Sequence, residues 1–259
     1  MVSGSMTNKI INGDALETLS EIHKDSVHLI ITSPPYNLDI NYDKHADNLS
    51  ESEYLNWMNK VWKQCNRILC NGGRLCINIG ENKRSTIAQP TFSAFIQQCI
   101  SLKMLYRGTL IWDKNNAAKH CAWGSWKSPS NPHIVPRHEY ILIFSKGEYK
   151  LEGSKNDVDI TSEEFMEYTR SVWKFGTESK TRLGHPAPFP VELPKRLIRF
   201  YSFRGQTVLD PFAGSGTVGV ACKMLNRKYI LIDNSKEYCE LARKRMSQQV
   251  FDVTEKENA

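Results

Sequence analysis

Long apolar runs are missing from this 259-residue chain: the longest, VHLII (27–31) and YILIFS (140–145), fall far short of the roughly 20 residues that span a bilayer. No charged-then-apolar leader opens it either, so the expectation is a soluble, unexported, cytoplasmic protein, with MVSGS (1–5) ahead of Met6 read as an expression scar. The seven cysteines are odd in number and form no CxxC pair. Those in RLCINIG and VACKML read as buried, reduced thiols rather than a disulfide framework. HExxH is absent, the seven histidines are scattered, and His133 and His138 have no matching cysteines, so no metal is expected. Internal repeats and low-complexity tracts are absent as well, which removes solenoids and arrays. Neither sign of charge dominates: Lys and Arg stand at 34 against 28 Asp and Glu, a net charge of +6 that permits a polyanionic partner without requiring one.

What is present alternates between two periods. NKIIN, VHLII, RLCINIG, LYRGTLIW, EYILIFS, QTVLD and KYILID read as buried strands; DALETLSEIH, FSAFIQQCISL, PVELPKRLIRFYS, TVGVACKMLN and SKEYCELARKRM read as helices. Ser50 with Glu53 opens another helix, whose apolar residues Leu55, Met58, Trp62, Cys65 and Leu69 recur every three or four positions. That helix is expected to exit through Asn71-Gly72-Gly73 in a left-handed conformation. Thr161 with Glu164 gives a second capping signal, and Pro194 must lie in the first turn of its helix. Strand and helix alternating from end to end predict an α/β fold with a doubly wound, mostly parallel sheet. One domain over 6–247 is expected, with insertions at 114–137 and 148–184 and a polar tail at 248–259.

VLDPFAGSGTVG sets Gly214, Gly216 and Gly219 as G-x-G-x-x-G between a strand and a helix, and Asp233 ends the next strand 19 residues after Gly214. Read mechanically, this is a dinucleotide fingerprint, with a nicotinamide-dependent oxidoreductase as its functional reading. The glycines could also serve only to turn a strand tightly into a helix. Against the dinucleotide stands Asp210, a carboxylate at the strand's tip that would repel a pyrophosphate yet accept hydrogen bonds from an ammonium group. S-adenosylmethionine has that ammonium, a sulfonium cation and a ribose diol, and no phosphate.

IITSPPYN (30–37) stops an apolar strand on two prolines, a tyrosine and an amide. An exocyclic amino group on a nucleobase is a poor nucleophile because its lone pair is delocalised into the ring. The Ser33 hydroxyl and Pro34 carbonyl could hold its two N–H bonds on one side and aim the lone pair at a methyl donor. Pro34-Pro35 would fix those acceptors, and Tyr36 would offer a face on which an extruded base stacks.

TSPPYN followed by LDPFAGSGT resembles the amino-methylating DNA methyltransferases of the permuted, β-class arrangement. NGDALE, NGGRLCINIG, RHEYILIFSKG, HPAPFPVELPKRLI and RKYILIDNSKEYCELARKR fall in that family's order. The resemblance implies Ser33, Pro34, Pro35 and Tyr36 as the target-amine site. It implies Asp210, Phe212, Ala213, Gly214, Gly216 and Thr217 as the cradle for the methionine end of S-adenosyl-L-methionine, Asp233 on its ribose and Asp14 near its adenine. His185 and Phe189 fall in a segment resembling the one that closes over the cofactor, although many relatives carry lysine where Phe189 stands. Members with Ser-Pro-Pro-Tyr are mostly cytosine-N4 enzymes, whereas adenine-N6 enzymes mostly carry Asp or Asn at the first position. The expected activity is therefore cytosine-N4 methylation of a flipped base, with adenine N6, RNA or a protein amide as alternative acceptors. The resemblance further implies double-stranded DNA as partner, a homodimer as a common assembly, and any restriction endonuclease on a separate chain.

Residues 114–137 hold Lys119, Lys127, Arg137, Trp123 and Trp126, three prolines and no acid. Basic side chains among aromatics suit phosphate contact with stacking or wedging, while tryptophans that merely pin a loop to the core are the alternative. Lys174, Lys180 and Arg182 form a second candidate DNA contact. Arg243, Lys244 and Arg245 read as a solvated helix face.

Overall fold

The structure, a computed structural model, describes residues 6–36, 49–84, 87–115, 124–134, 136–177 and 189–256. In chain order the first half comprises β1 (Lys9–Asn12), α1 (Ala15–Glu21), β2 (Val27–Thr32), α2 (Glu51–Ile68), β3 (Leu69–Ile79), β4 (Asn82–Arg84), β5 (Ile87–Gln89) and α3 (Thr91–Ser101). The second half comprises β6 (Met104–Asp113), β7 (His138–Lys146), α4 (Ser162–Tyr168), β8 (Val172–Lys174), α5 (Glu192–Tyr201), β9 (Thr207–Asp210), α6 (Thr217–Met224), β10 (Lys228–Asp233) and α7 (Lys236–Lys256). Among the described residues eight strands make one sheet in the order β1-β10-β9-β2-β3-β7-β6-β8, and β4 pairs only with β5. Within the eight-stranded sheet neighbours run parallel except where β7 lies between β3 and β6, antiparallel to both; β4 and β5 are also antiparallel.

Side-chain alternation explains why helices cover both faces. On β2, Ile30 enters one core while Leu29 and Ile31 enter the other; on β7, Leu142 and Phe144 face the first core and Ile141 and Ile143 the second. A strand apolar on both sides must be sheltered on both, as in a doubly wound sheet. α1, α2 and α3 close the first face with Leu19, Met58, Trp62, Cys65 and Phe95, and α5 and α6 close the second with Leu197, Ile198, Val218 and Ala221. Both capping boxes form: Ser50 with Glu53 starts α2, and Thr161 with Glu164 starts α4. Pro194 sits in the first turn of α5, where its missing N–H costs nothing.

α2 does not run to Asn71. It ends at Ile68, and Leu69 is already extended and paired with Val27. The register then slips, Leu29 pairing with Arg74, so the extra residues form a bulge, and Gly72 at φ 73° supplies the left-handed residue it requires. Residues 148–177 send α4 against α5 and add β8 to the sheet's edge, with Trp173 buried. α7 continues into the expected tail as far as Lys256. Cys65, Cys76, Cys99, Cys222 and Cys239 are free and buried, and burial raises each thiol's pKa; Cys121 lies outside the described residues. Among the described residues no helix is long and apolar enough to cross a membrane.

Candidate active site

Chain order and spatial order diverge between β9 and β2. From β9 the chain moves outward to β10; from β2 it moves the opposite way to β3. Loops leaving two such strands part at their carboxyl ends and open a crevice there. Leu29 lies beside Val208 and Ile30 beside Leu209, so Asp210 and residues 33–36 flank that crevice.

Asp210 ends β9 and is 1% exposed. Its Oδ1 accepts the Phe212 amide at 3.1 Å. Burial pushes its pKa up to about 7; the Phe212 amide and the neighbouring Thr32 hydroxyl oppose the rise, and the charge of Asp233 adds to it. Thr32 Oγ1 is itself buried with no closed hydrogen bond. The glycine turn follows. Gly214 (φ 49°) and Gly216 (φ 77°) both occupy the left-handed region, and Gly216 caps α6. A Cβ on Gly219 would lie 2.5 Å from Leu231 Cδ1 and 2.7 Å from Met246 Sδ, so the third glycine lets α6 pack against β10 and α7.

Asp233 ends β10 and braces this turn: Oδ2 accepts the Gly214 amide at 2.8 Å and Oδ1 the Ser235 amide at 2.9 Å. Burial raises its pKa, and the two amides pull against that rise. Each oxygen keeps lone-pair capacity for a further donor. The Gly13 amide donates to the Asp233 carbonyl at 3.0 Å, which sets Asp14 beside the same strand end. There Asp14 Oδ1 caps α1 through the amides of Leu16 (2.8 Å) and Glu17 (3.1 Å). From α7, Arg245 Nη1 donates to the Ser215 carbonyl at 2.7 Å, the Ser215 hydroxyl at 2.6 Å and the Thr217 hydroxyl at 3.2 Å. Arg245 is thus a strut under the glycine turn, not part of a solvated face.

Across the crevice, residues 33–36 leave β2 with Pro34 buried and Ser33, Pro35 and Tyr36 half-buried. The Tyr54 hydroxyl of α2 donates to the Pro35 carbonyl at 2.7 Å and pins the turn. Ser33 Oγ donates to the Tyr36 hydroxyl at 3.2 Å, and that hydroxyl donates to Glu139 Oε2 at 3.4 Å. Asn78 Nδ2 donates to the same Oε2 at 2.6 Å, and Lys114 Nζ meets Glu139 Oε1 at 2.5 Å. Tyr36, Trp57 and Phe212 border the first core, and the Trp57 and Phe212 rings lie 5.6 Å apart, which joins the two halves of the site by an aromatic wall.

Residues 27–244 match the DNA methylase family N6_N4_Mtase. The chain belongs to that family. It is a site-specific DNA methyltransferase of the N6/N4 type. It is 36% identical to the type II methyltransferase M.MjaVI of Methanocaldococcus jannaschii over 67% of this chain and 88% of that one. The solved structure of TTHA0409, a DNA modification methylase of Thermus thermophilus complexed with S-adenosyl-L-methionine, is 28% identical and superposes with a TM-score of 0.75 over 93% of this chain and 95% of that one. Relatives span both amine targets. The DNA adenine methyltransferase YhdJ of Escherichia coli is 28% identical over 94% of this chain and 84% of its own. The cytosine-N4-specific PvuII methyltransferase, 21% identical, shares the fold at a TM-score of 0.71 over 91% and 84%.

In this DNA methyltransferase the sheet's carboxyl edge gathers Asp14, Ser33, Pro34, Pro35, Tyr36, Asp210, Phe212, Ala213, Gly214, Gly216, Thr217 and Asp233. Phe189, partly buried just ahead of α5, packs against the second core, to which Ala213 also belongs. β6 ends and β7 begins at that same edge, where the Lys114 amide donates to the Arg137 carbonyl at 3.2 Å. Trp126 is 71% exposed, with Lys127 Nζ 5.8 Å from its ring centroid, and Arg137 and Lys174 are exposed. Lys119, Trp123, Lys180, Arg182 and His185 lie outside the described residues. Lys114 and Arg245 stood in the sequence reading under other roles, in a basic segment and on a solvated helix face, whereas Tyr54, Trp57, Asn78 and Glu139 escaped it. Only Glu139 left a local trace there, as an acid at the mouth of the otherwise buried EYILIFS strand.

Proposed function

We propose that this chain methylates the exocyclic N4 of cytosine in double-stranded DNA, using S-adenosyl-L-methionine and acting on a base flipped out of the duplex. What carries the reading is one crevice with a buried carboxylate and a glycine turn on one wall and Ser33-Pro34-Pro35-Tyr36 on the other. The donor set fits the cofactor. Asp210 is a desolvated carboxylate for which a cation is the natural partner, and Asp14 and Asp233 have lone pairs for hydroxyl and amine donors. The Asp210 carboxylate at the strand's tip would repel the pyrophosphate of a dinucleotide. When bound, S-adenosylmethionine supplies an electrophilic methyl group.

The chain's own residues do the rest. Ser33 Oγ and the Pro34 carbonyl accept the two amine N–H bonds and draw the nitrogen lone pair out of conjugation. Among the described residues the Pro34 carbonyl accepts no hydrogen bond, whereas Tyr54 already occupies that of Pro35. Tyr36 stacks on the base, which offsets part of the few kcal/mol needed to extrude it. Serine at position 33, where adenine-N6 enzymes mostly carry an acid or amide, favours cytosine as the target. Trp126, Lys127, Arg137 and Lys174, with Lys119, Trp123, Lys180 and Arg182, contact the duplex. In the same reading a homodimer is the expected assembly, and any cleaving activity belongs to a separate restriction endonuclease.

Duplex DNA incubated with the enzyme and cofactor, digested and resolved by mass, should yield N4-methylcytosine. N6-methyladenine would move the target, and no modified nucleoside at all would sink the proposal. Tyr36→Ala should still bind S-adenosylhomocysteine while losing turnover.

A further inference from the structure

Glu139 stands 103 positions from Tyr36 in the chain, yet its carboxylate ends the hydroxyl relay that starts at Ser33. An ionised carboxylate only accepts hydrogen bonds. The Tyr36 hydroxyl must therefore donate to it, and having spent its one proton there it can only accept from Ser33. Ser33 spends its own proton on Tyr36. Both lone pairs of Ser33 Oγ are then left outward as acceptors, the polarity an incoming amine N–H requires. We propose that Glu139 is a positioning residue that sets this polarity and so turns a neutral serine into an obligate acceptor for the target amine; the inference rests on the methylation reading above.

The surroundings hold Glu139 to that task. Its side chain is 13% exposed, the ammonium of Lys114 holds Oε1, and Asn78 Nδ2 donates to Oε2 at 2.6 Å. The two hydroxyl links, at 3.2 and 3.4 Å, exceed the roughly 2.7–2.8 Å usual for O–H···O. They are loosely closed in the free enzyme and tighten when the amine arrives, as catalytic hydrogen bonds commonly do.

Glu139→Gln tests this in a directed way. Lys114 attracts the new amide oxygen and turns the NH₂ toward Tyr36, which then accepts and passes its own proton to Ser33, while Asn78 turns its amide to offer that NH₂ the Oδ1 left without a partner in the wild type. Ser33 Oγ–H is pushed outward as a donor against the amine N–H. Single-turnover methyl transfer to duplex DNA should fall by about tenfold to a hundredfold, the effect of reversing one hydrogen bond at the reacting nitrogen. S-adenosylhomocysteine binding and melting temperature should hold. Tyr36→Phe keeps the stacking ring but cuts the relay, so it should slow transfer severalfold in its own right, and Glu139→Gln placed on top of it should add less than about threefold. A Glu139→Gln enzyme as fast as the wild type, or one whose loss multiplies undiminished in the Tyr36→Phe background, overturns the proposal. If Glu139→Gln does not fold, Tyr36→Phe alone decides: wild-type speed refutes the relay. Failure of the wild-type enzyme to methylate DNA would instead condemn the underlying reading.

Discussion

Asp210→Asn should make this protein more stable and a worse cofactor binder at once. Burial raises the carboxyl from an ordinary 3.8 to about 7, so ionising it in the folded chain costs about 4 kcal/mol more than in the unfolded one. The sign runs opposite to that of a salt-bridged aspartate. A folded-state pKa above the unfolded value means the native protein holds a proton the unfolded chain has released. Stability is therefore lost as pH climbs from about 4 to about 7 and is level above that. Asparagine retains an Oδ1 for the Phe212 amide and removes the charge. In urea titrations its advantage over wild type should grow by about 2 kcal/mol between about pH 5.5 and about pH 8. Cofactor binding should respond the other way. The ionised fraction of Asp210 rises from about a tenth at pH 6 to about nine-tenths at pH 8, so wild-type affinity for S-adenosylhomocysteine should rise about tenfold across that interval. Calorimetry on Asp210→Asn should show weaker binding with that slope gone. An Asp210→Asn protein less stable than wild type at pH 8, or one whose affinity retains the wild-type pH slope, would refute the reasoning.

Arg227 is a second buried charge, but a paired one. It bridges both carboxylate oxygens of Asp159 and donates to the carbonyls of Ser202 and Leu225 at 2.6 Å each, so Arg227→Met should lose about 3–5 kcal/mol in urea unfolding, and a loss under about 1 kcal/mol would contradict this. Gly216→Ala combines a left-handed backbone (φ 77°) with a Cβ placed 2.7 Å from Ala242 Cβ, and should destabilise by about 2–4 kcal/mol while weakening S-adenosylhomocysteine binding. Wild-type melting and binding in that variant would mean the turn yields more readily than its packing implies.

The sequence made legible whatever is decided among near neighbours. Ser50 with Glu53 and Thr161 with Glu164 announced their helices because a capping box closes within four residues. The glycine turn announced itself because strand, turn and helix follow one another directly. The exit of α2 was misread for a physical reason: a left-handed glycine serves a helix end and a strand bulge equally well, and the choice fell to the pairing of Leu69 with Val27, a contact across sequence. Arg245 was misread likewise, since a run of three cations looks solvated until α7 packs it beneath Ser215 and Thr217.

The active site divides along the same line. The four residues of the proline turn are consecutive and could be read, whereas Tyr54 reaches them from α2 and Glu139 from the start of β7, which runs against both its neighbours in the eight-stranded sheet. That reversal matters chemically. A parallel strand at β7's place would begin at the far edge of the sheet and carry the carboxylate away from Tyr36. Because β7 runs backwards, its first residues meet the carboxyl ends of the others, and a serine that could donate or accept is met by a group that can only accept. On the proposed reading the turn's sequence supplies the acceptor atoms, while their polarity is set by a residue that only the sheet's topology brings to them.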